Sequence, residues 1–164
     1  NDVIAVQEQT VRANTSLVEL ITTTEKDFDL GKFLHVLNVQ FRNQYVPTRL
    51  AALRWVSVLH EKNAELLSSF LENLLPGMLR NLSDPSDDVV RMNLQVLATI
   101  SEKDEKKFIF LMESLVSHFR EDQQLLEKRG SLIIRQLSSH ISAEKIFRTL
   151  AIILEKEEDV EHAG

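Results

Sequence analysis

Apolar residues along the chain return at steps of three and four positions. Leu71, Leu74, Leu75, Met78, Leu79 and Leu82 follow that rule, which lines up one face of an α-helix. The same stepping occurs at Leu30, Phe33, Leu34, Leu37 and Phe41, at Phe108, Leu111, Met112, Leu115 and Phe119, and more sparsely at Ile146, Leu150 and Ile153. Four helices are predicted from these runs. After each of the first three comes a short polar break ("NQYVPT", "SDPSDD", "EDQQ") and then a second apolar-periodic segment: "RLAALRWVSVLH", "VVRMNLQVLATI" or "LLEKRGSLIIRQL". The pattern predicts helix pairs.

The pairs recur. Phe41 to Leu82 and Leu53 to Leu94 are both 41 residues apart, while Leu82 to Phe119 and Leu97 to Ile134 are both 37 apart. A period near 40 with two helices per unit predicts an all-α superhelix, a HEAT/armadillo-like solenoid of about four stacked pairs, closer to HEAT than to the armadillo or tetratricopeptide unit. The expected divisions are 28–63, 64–102 and 103–141 as helix pairs, with 142–164 a truncated unit. Residues 1–22 read as the second helix of a preceding unit with Val6, Ala13, Leu17, Leu20 and Ile21 inward, and 159–164 as the start of the last helix's partner. The chain therefore reads as a fragment of a longer array.

Pro76 lies inside one of these helices. It lacks an amide donor and its ring crowds the carbonyl of Glu72, so a kink is expected there that lets the helix curve over its neighbour. "LSDPSDDVV" should then end one helix and start the next, with Ser83 or Asp84 capping and Asp87 and Asp88 at the new N-terminus. The alternation of Asp84, Ser86 and Asp88 resembles the opening of a calcium loop. Val89 stands where that loop needs glycine, however, and Gln95 where it needs a bidentate glutamate. Capping is the better reading.

Composition narrows the chemistry. The chain of 164 residues is 43% hydrophobic with four glycines and three prolines, which favours helices over a turn-rich β architecture. Cysteine is absent, so neither a disulfide framework nor a thiolate site is available, and an intracellular address is expected. The five histidines form no HExxH pair, no phosphate-cradling or nucleophile-elbow motif occurs, and no metal or other cofactor is expected. A net charge of -6 opposes nucleic-acid binding, including the DNA-glycosylase chemistry that some HEAT-like folds carry. Apolar runs of five residues are far too short to span a bilayer.

Four residues read as structural. Trp55, whose equivalent one unit later is Val96, is expected in the core. Pro76 is the helix kink. Gly130 costs about 1 kcal/mol inside a helix relative to alanine, which points to close approach of another helix backbone. Arg129 beside it is placed to bond groups between units and set the angle of the next pair. On the polar side of the second helices lie Arg54, Glu61, Arg91, Gln95, Lys128 and Arg135, the candidate partner surface.

Four passages go further than the HEAT period: "TRLAALRWV" (48–56), "LSDPSDDVV" (82–90), "LLEKRGSLIIRQL" (125–137) and "AEKIFRTLAIILEKEEDVEHA" (143–163). In order and spacing they resemble the vacuole-morphology scaffold ("Vac fourteen") family over about residues 45–163. The resemblance implies a non-catalytic scaffold that holds together a phosphatidylinositol 3-phosphate 5-kinase and an opposing Sac-type lipid phosphatase. Such a scaffold controls phosphatidylinositol 3,5-bisphosphate from the cytoplasmic side of endosomes, lysosomes or vacuoles, as a peripheral component, and self-association is possible. The rival expectation is another soluble HEAT adaptor, such as a transport receptor or a protein phosphatase scaffold.

Overall fold

A computed structural model describes residues 30–163. Seven α-helices and one short 3-10 turn occupy this span, with no strand among the described residues. The helix expected over 1–22 lies outside it. The chain divides between Met92 and Asn93 into two units.

The first unit contains α1 (Leu30–Gln40), α2 (Val46–Lys62), α3 (Ala64–Arg80), the 3-10 turn Asn81–Ser83 and the start of α4 (Asp87–Ser101). Phe33, Leu37 and Phe41 from α1 and its end, Leu53 and Val56 from α2, and Leu67, Leu74 and Met78 from α3 are all fully buried. These are the positions the three-and-four stepping selects, so the apolar stripe is what each helix turns inward. A single residue, Asn63, separates α2 from α3, and its Oδ1 accepts the amide of Leu66 at 3.0 Å. That bond satisfies one of the orphan donors at the helix start.

Helix α3 runs through Pro76. The proline and Glu72 are both exposed, so the Glu72 carbonyl that loses its partner can bond to water and the helix is not broken. Gly77 is the residue that shapes the packing here. A Cβ at Gly77 would lie 3.0 Å from Asn38 Oδ1 and 3.2 Å from Phe41 Cδ2, so glycine lets α3 approach the C-terminal end of α1 without displacing either side chain. This contact joins the C-terminal ends of the two first helices.

The second unit holds the rest of α4, then α5 (Glu105–Glu121), α6 (Gln123–Ser138) and α7 (Ala143–Ala163). Asp104 caps α5 by accepting the amides of Lys106 and Lys107 at 3.0 and 3.2 Å. Asp122, the one residue between α5 and α6, accepts the amide of Leu125 at 3.0 Å. Phe108, Met112, Ile133 and Ile146 are fully buried. Two polar clamps tie α5 to α7. Near their N-termini, Lys145 Nζ sits 3.0 Å from Glu105 Oε2 and 4.5 Å from the centre of the Phe108 ring; toward their C-termini, Arg120 pairs with Glu157. One clamp toward each end makes these two helices parallel, as successive first helices of a two-helix repeat must be. Residues 159–163 continue α7 as one 21-residue helix; the expected start of a partner helix there is corrected. The acidic run has no turn-forming residue to interrupt it.

Candidate partner surface

The six candidate surface residues are all exposed. Arg54 and Glu61 are seven apart on α2, Arg91 and Gln95 four apart on α4, and Lys128 and Arg135 seven apart on α6, so each pair forms a strip along one helix face. Two of them make only weak local contacts. Arg91 lies 3.8 Å from Asp88, and Arg135 Nη2 is 3.5 Å from Ser131 Oγ. Exposed pairs at such distances contribute little to stability, which leaves these side chains available to another surface.

Trp55 is half-buried, between exposed Arg54 and buried Val56. It lies at the edge of the buried stripe of α2, so full burial in the core is corrected. Gly130 also differs from expectation. A Cβ there would meet the side chain of Leu126, one turn earlier on the same helix, at 3.0 Å; the neighbour is a flexible leucine tip and not another helix backbone. Arg129 is half-buried.

Two features have no local signature in the sequence. The first is a buried ion pair in the first unit. Arg49 Nε lies 2.7 Å from Asp84 Oδ2, the two side chains being only 12% and 5% exposed. Arg49 Nη2 donates to Asp84 Oδ1 at 3.0 Å and Nη1 to the Asn43 carbonyl at 2.7 Å. Asp84 Oδ1 also accepts the Ser86 amide at 2.9 Å. One guanidinium therefore joins the α1–α2 turn to the α3–α4 turn, and Asp84 both shapes its own turn and neutralises the arginine.

The second is an apolar groove of about 610 Å³ in the second unit, bounded by α5, α6 and α7. Phe119, Leu126, Ile134, Leu150 and Leu154 supply its walls and Gly130 lies between them. Its only charged lining residue, Arg120, is held by Glu157. The groove carries no acid, base or nucleophile arrangement. Among the described residues no group of three or more His, Asp or Glu side chains could hold a metal ion, and no helix is long and apolar enough to cross a membrane.

Residues 123–164, which include α6 and α7, match the family model described as "Vacuolar protein 14 C-terminal Fig4p binding". Among curated proteins, the chain is 37% identical over 151 residues to "Protein VAC14 homolog" of Arabidopsis thaliana, covering 92% of this chain and 20% of that protein. It is 39% identical over 138 residues to "Protein VAC14 homolog" of Schizosaccharomyces pombe, covering 83% and 17%. It is 22% identical over 137 residues to "Vacuole morphology and inheritance protein 14" of Saccharomyces cerevisiae, covering 83% and 16%. The chain thus spans about one fifth of the length of the curated relatives it matches. No solved structure matches it. Matches to plant and yeast relatives over most of the chain, together with the all-α repeat, identify it as a member of the Vac14 family.

Proposed function

We propose that this segment is part of a non-catalytic scaffold that brings a phosphatidylinositol 3-phosphate 5-kinase and its opposing Sac-type phosphatase into one complex. The scaffold thereby controls synthesis and turnover of phosphatidylinositol 3,5-bisphosphate on endolysosomal or vacuolar membranes. The observation that carries this reading is the match of residues 123–164 to a model described by Fig4p binding. Paired helices support it physically, because each unit contacts mainly its neighbours while an array of units offers long surfaces to large partners. Membrane attachment in this reading is peripheral and comes through the complex.

The exposed strips on α2, α4 and α6 are the contact residues in this proposal, with Lys128 and Arg135 nearest to the phosphatase because they lie within the matched region. Mutual orientation of the two enzymes, and not chemistry within the scaffold, is the product of the arrangement. Co-purification of the tagged full-length protein from cells tests the reading. Recovery of both the lipid kinase and the lipid phosphatase is expected; recovery of nuclear-transport cargo or protein phosphatase subunits in their place would assign the chain to a different class of HEAT adaptor.

A further inference from the structure

An apolar groove between α6 and α7 is left uncovered in the second unit, and the repeat itself indicates what covers it. Stepping back from α6 by 37 residues and then by 41 aligns it with α4 and α2. Leu126 corresponds to Val89 and Thr48, and Ser131 to Leu94 and Leu53. All four earlier positions are buried, whereas Leu126 is 49% exposed and Ser131 is exposed. The first helices behave alike. Leu154 lies 38 residues after Val116, itself 37 after Leu79; Leu79 and Val116 are 8% and 7% exposed, and Leu154 is 47% exposed.

The face of α7 gives the same indication independently. Ile146 and Ile153 are buried, yet Phe147, Leu150, Ala151 and Leu154 form a second stripe at i, i+3, i+4 and i+7 that is exposed or half-buried. A helix apolar on two faces is built to have a neighbour on each. The stripe stops at Leu154, where the acidic run from Glu155 begins. On α6 the apolar wall runs from Leu126 to Ile134, eight residues, or about 12 Å at the helical rise.

We infer that this groove is the seat of one more helix of the same repeat, the second helix of the pair that α7 opens. It is supplied by the full-length polypeptide outside these 164 residues and is not the phosphatase's pocket. The relatives, about five times as long as the span they share with this chain, have ample sequence to provide it. The occupant is an amphipathic helix of two to three turns with apolar residues at i, i+3 or i+4, and i+7, and a polar outer face. A partner that dissociates would leave this contiguous apolar surface bare, a liability for a protein that must remain free of aggregation. A covalently attached helix would not. Partners are then left to the polar strips.

Cysteine labelling of the full-length protein tests this. Leu126→Cys, Leu154→Cys and Ser131→Cys are made singly, treated with a maleimide, and read by mass spectrometry on the tryptic peptides that carry them. Ser131→Cys removes no apolar side chain and reads the groove even if either leucine variant misfolds. In the absence of phosphatase, labelling at all folded variants should be at least tenfold slower than at Ser139→Cys, an exposed control. A photo-crosslinker at residue 126 should couple to a peptide C-terminal of residue 164 in the same polypeptide. Fast labelling in the free protein, protection that appears only when purified phosphatase is added, or crosslinks to a second copy would each overturn the inference. Labelling without phosphatase reads the groove regardless of which enzymes the scaffold binds, so this inference and the proposed function can fail separately.

Discussion

Removing Asp84 should destabilise the first unit more than removal of any other single charge described above. In the folded protein its carboxylate faces Arg49, and both side chains are nearly out of water. Asp84→Ala would leave the guanidinium with the Asn43 carbonyl as its remaining described partner and would release the Ser86 amide from its turn. Breaking a buried pair by deleting one partner costs about 3 to 5 kcal/mol, a large part of the ~5 to 15 kcal/mol typical of a domain. At about 2 to 4 °C per kcal/mol for a chain of this size, Tm should fall by roughly 6 to 20 °C. Arg49→Met should cost a comparable amount. The double variant Arg49→Met/Asp84→Leu should recover much of the loss, because no buried charge remains. Urea unfolding of the unmodified protein, Arg49→Met, Asp84→Leu and Arg49→Met/Asp84→Leu gives the coupling energy through a double-mutant cycle. Added salt should change it little, since buried pairs are poorly screened. A loss below about 1 kcal/mol for Asp84→Ala, or a coupling abolished by salt, would show that the pair behaves as an exposed one and refute the reasoning.

The two helical glycines should respond in opposite ways. Gly77→Ala presses a Cβ against Asn38 and the Phe41 ring and should cost about 1 to 3 kcal/mol by overpacking, whereas Gly130→Ala, with the groove open as it is in these 164 residues, meets only the end of the Leu126 side chain and should be neutral or stabilising by up to about 1 kcal/mol through helix propensity; thermal unfolding of the 164-residue chain separates them. Asp122→Ala removes the α6 cap and should cost about 1 kcal/mol by urea unfolding, with Asp122→Asn retaining most of it. Trp55→Ala, acting on a half-buried ring, should fall below the ~3 to 5 kcal/mol of a fully buried aromatic; a loss at the top of that range would show that the ring is packed more tightly than its exposure indicates.

The paired helices were legible because their apolar stripes keep the helical period over several turns, and because the polar breaks interrupt each stripe. The exposure of the six candidate surface residues was legible for the same reason, as positions between stripe residues. Trp55 was placed too deep because the repeat equivalence to Val96 compares sequence positions, while burial also depends on how far a large ring reaches past the edge of the stripe. Pro76 and Gly77 show a related limit. The proline drew attention as the defect, but its missing hydrogen bond faces water, and the glycine beside it is what admits Phe41. Gly130, the helical glycine singled out for close packing, meets only its own helix. Arg49 and Asp84 are 35 residues apart and belong to no local pattern, so their pairing emerges only when two turns are brought together. The groove was hidden because apolar residues that will be covered and those that will not look alike along the chain.

The central claim, that the segment serves as a scaffold surface for the lipid phosphatase, is tested most directly by measuring binding of purified phosphatase to the full-length protein. The informative variant is Lys128→Glu/Arg135→Glu, which reverses two exposed charges on α6 and should leave Tm nearly unchanged, as surface substitutions do. Its Kd should rise at least tenfold, about 1.4 kcal/mol, while kinase binding is retained. A Kd equal to that of the unmodified protein, with the variant folded, would contradict the claim that this surface holds the phosphatase.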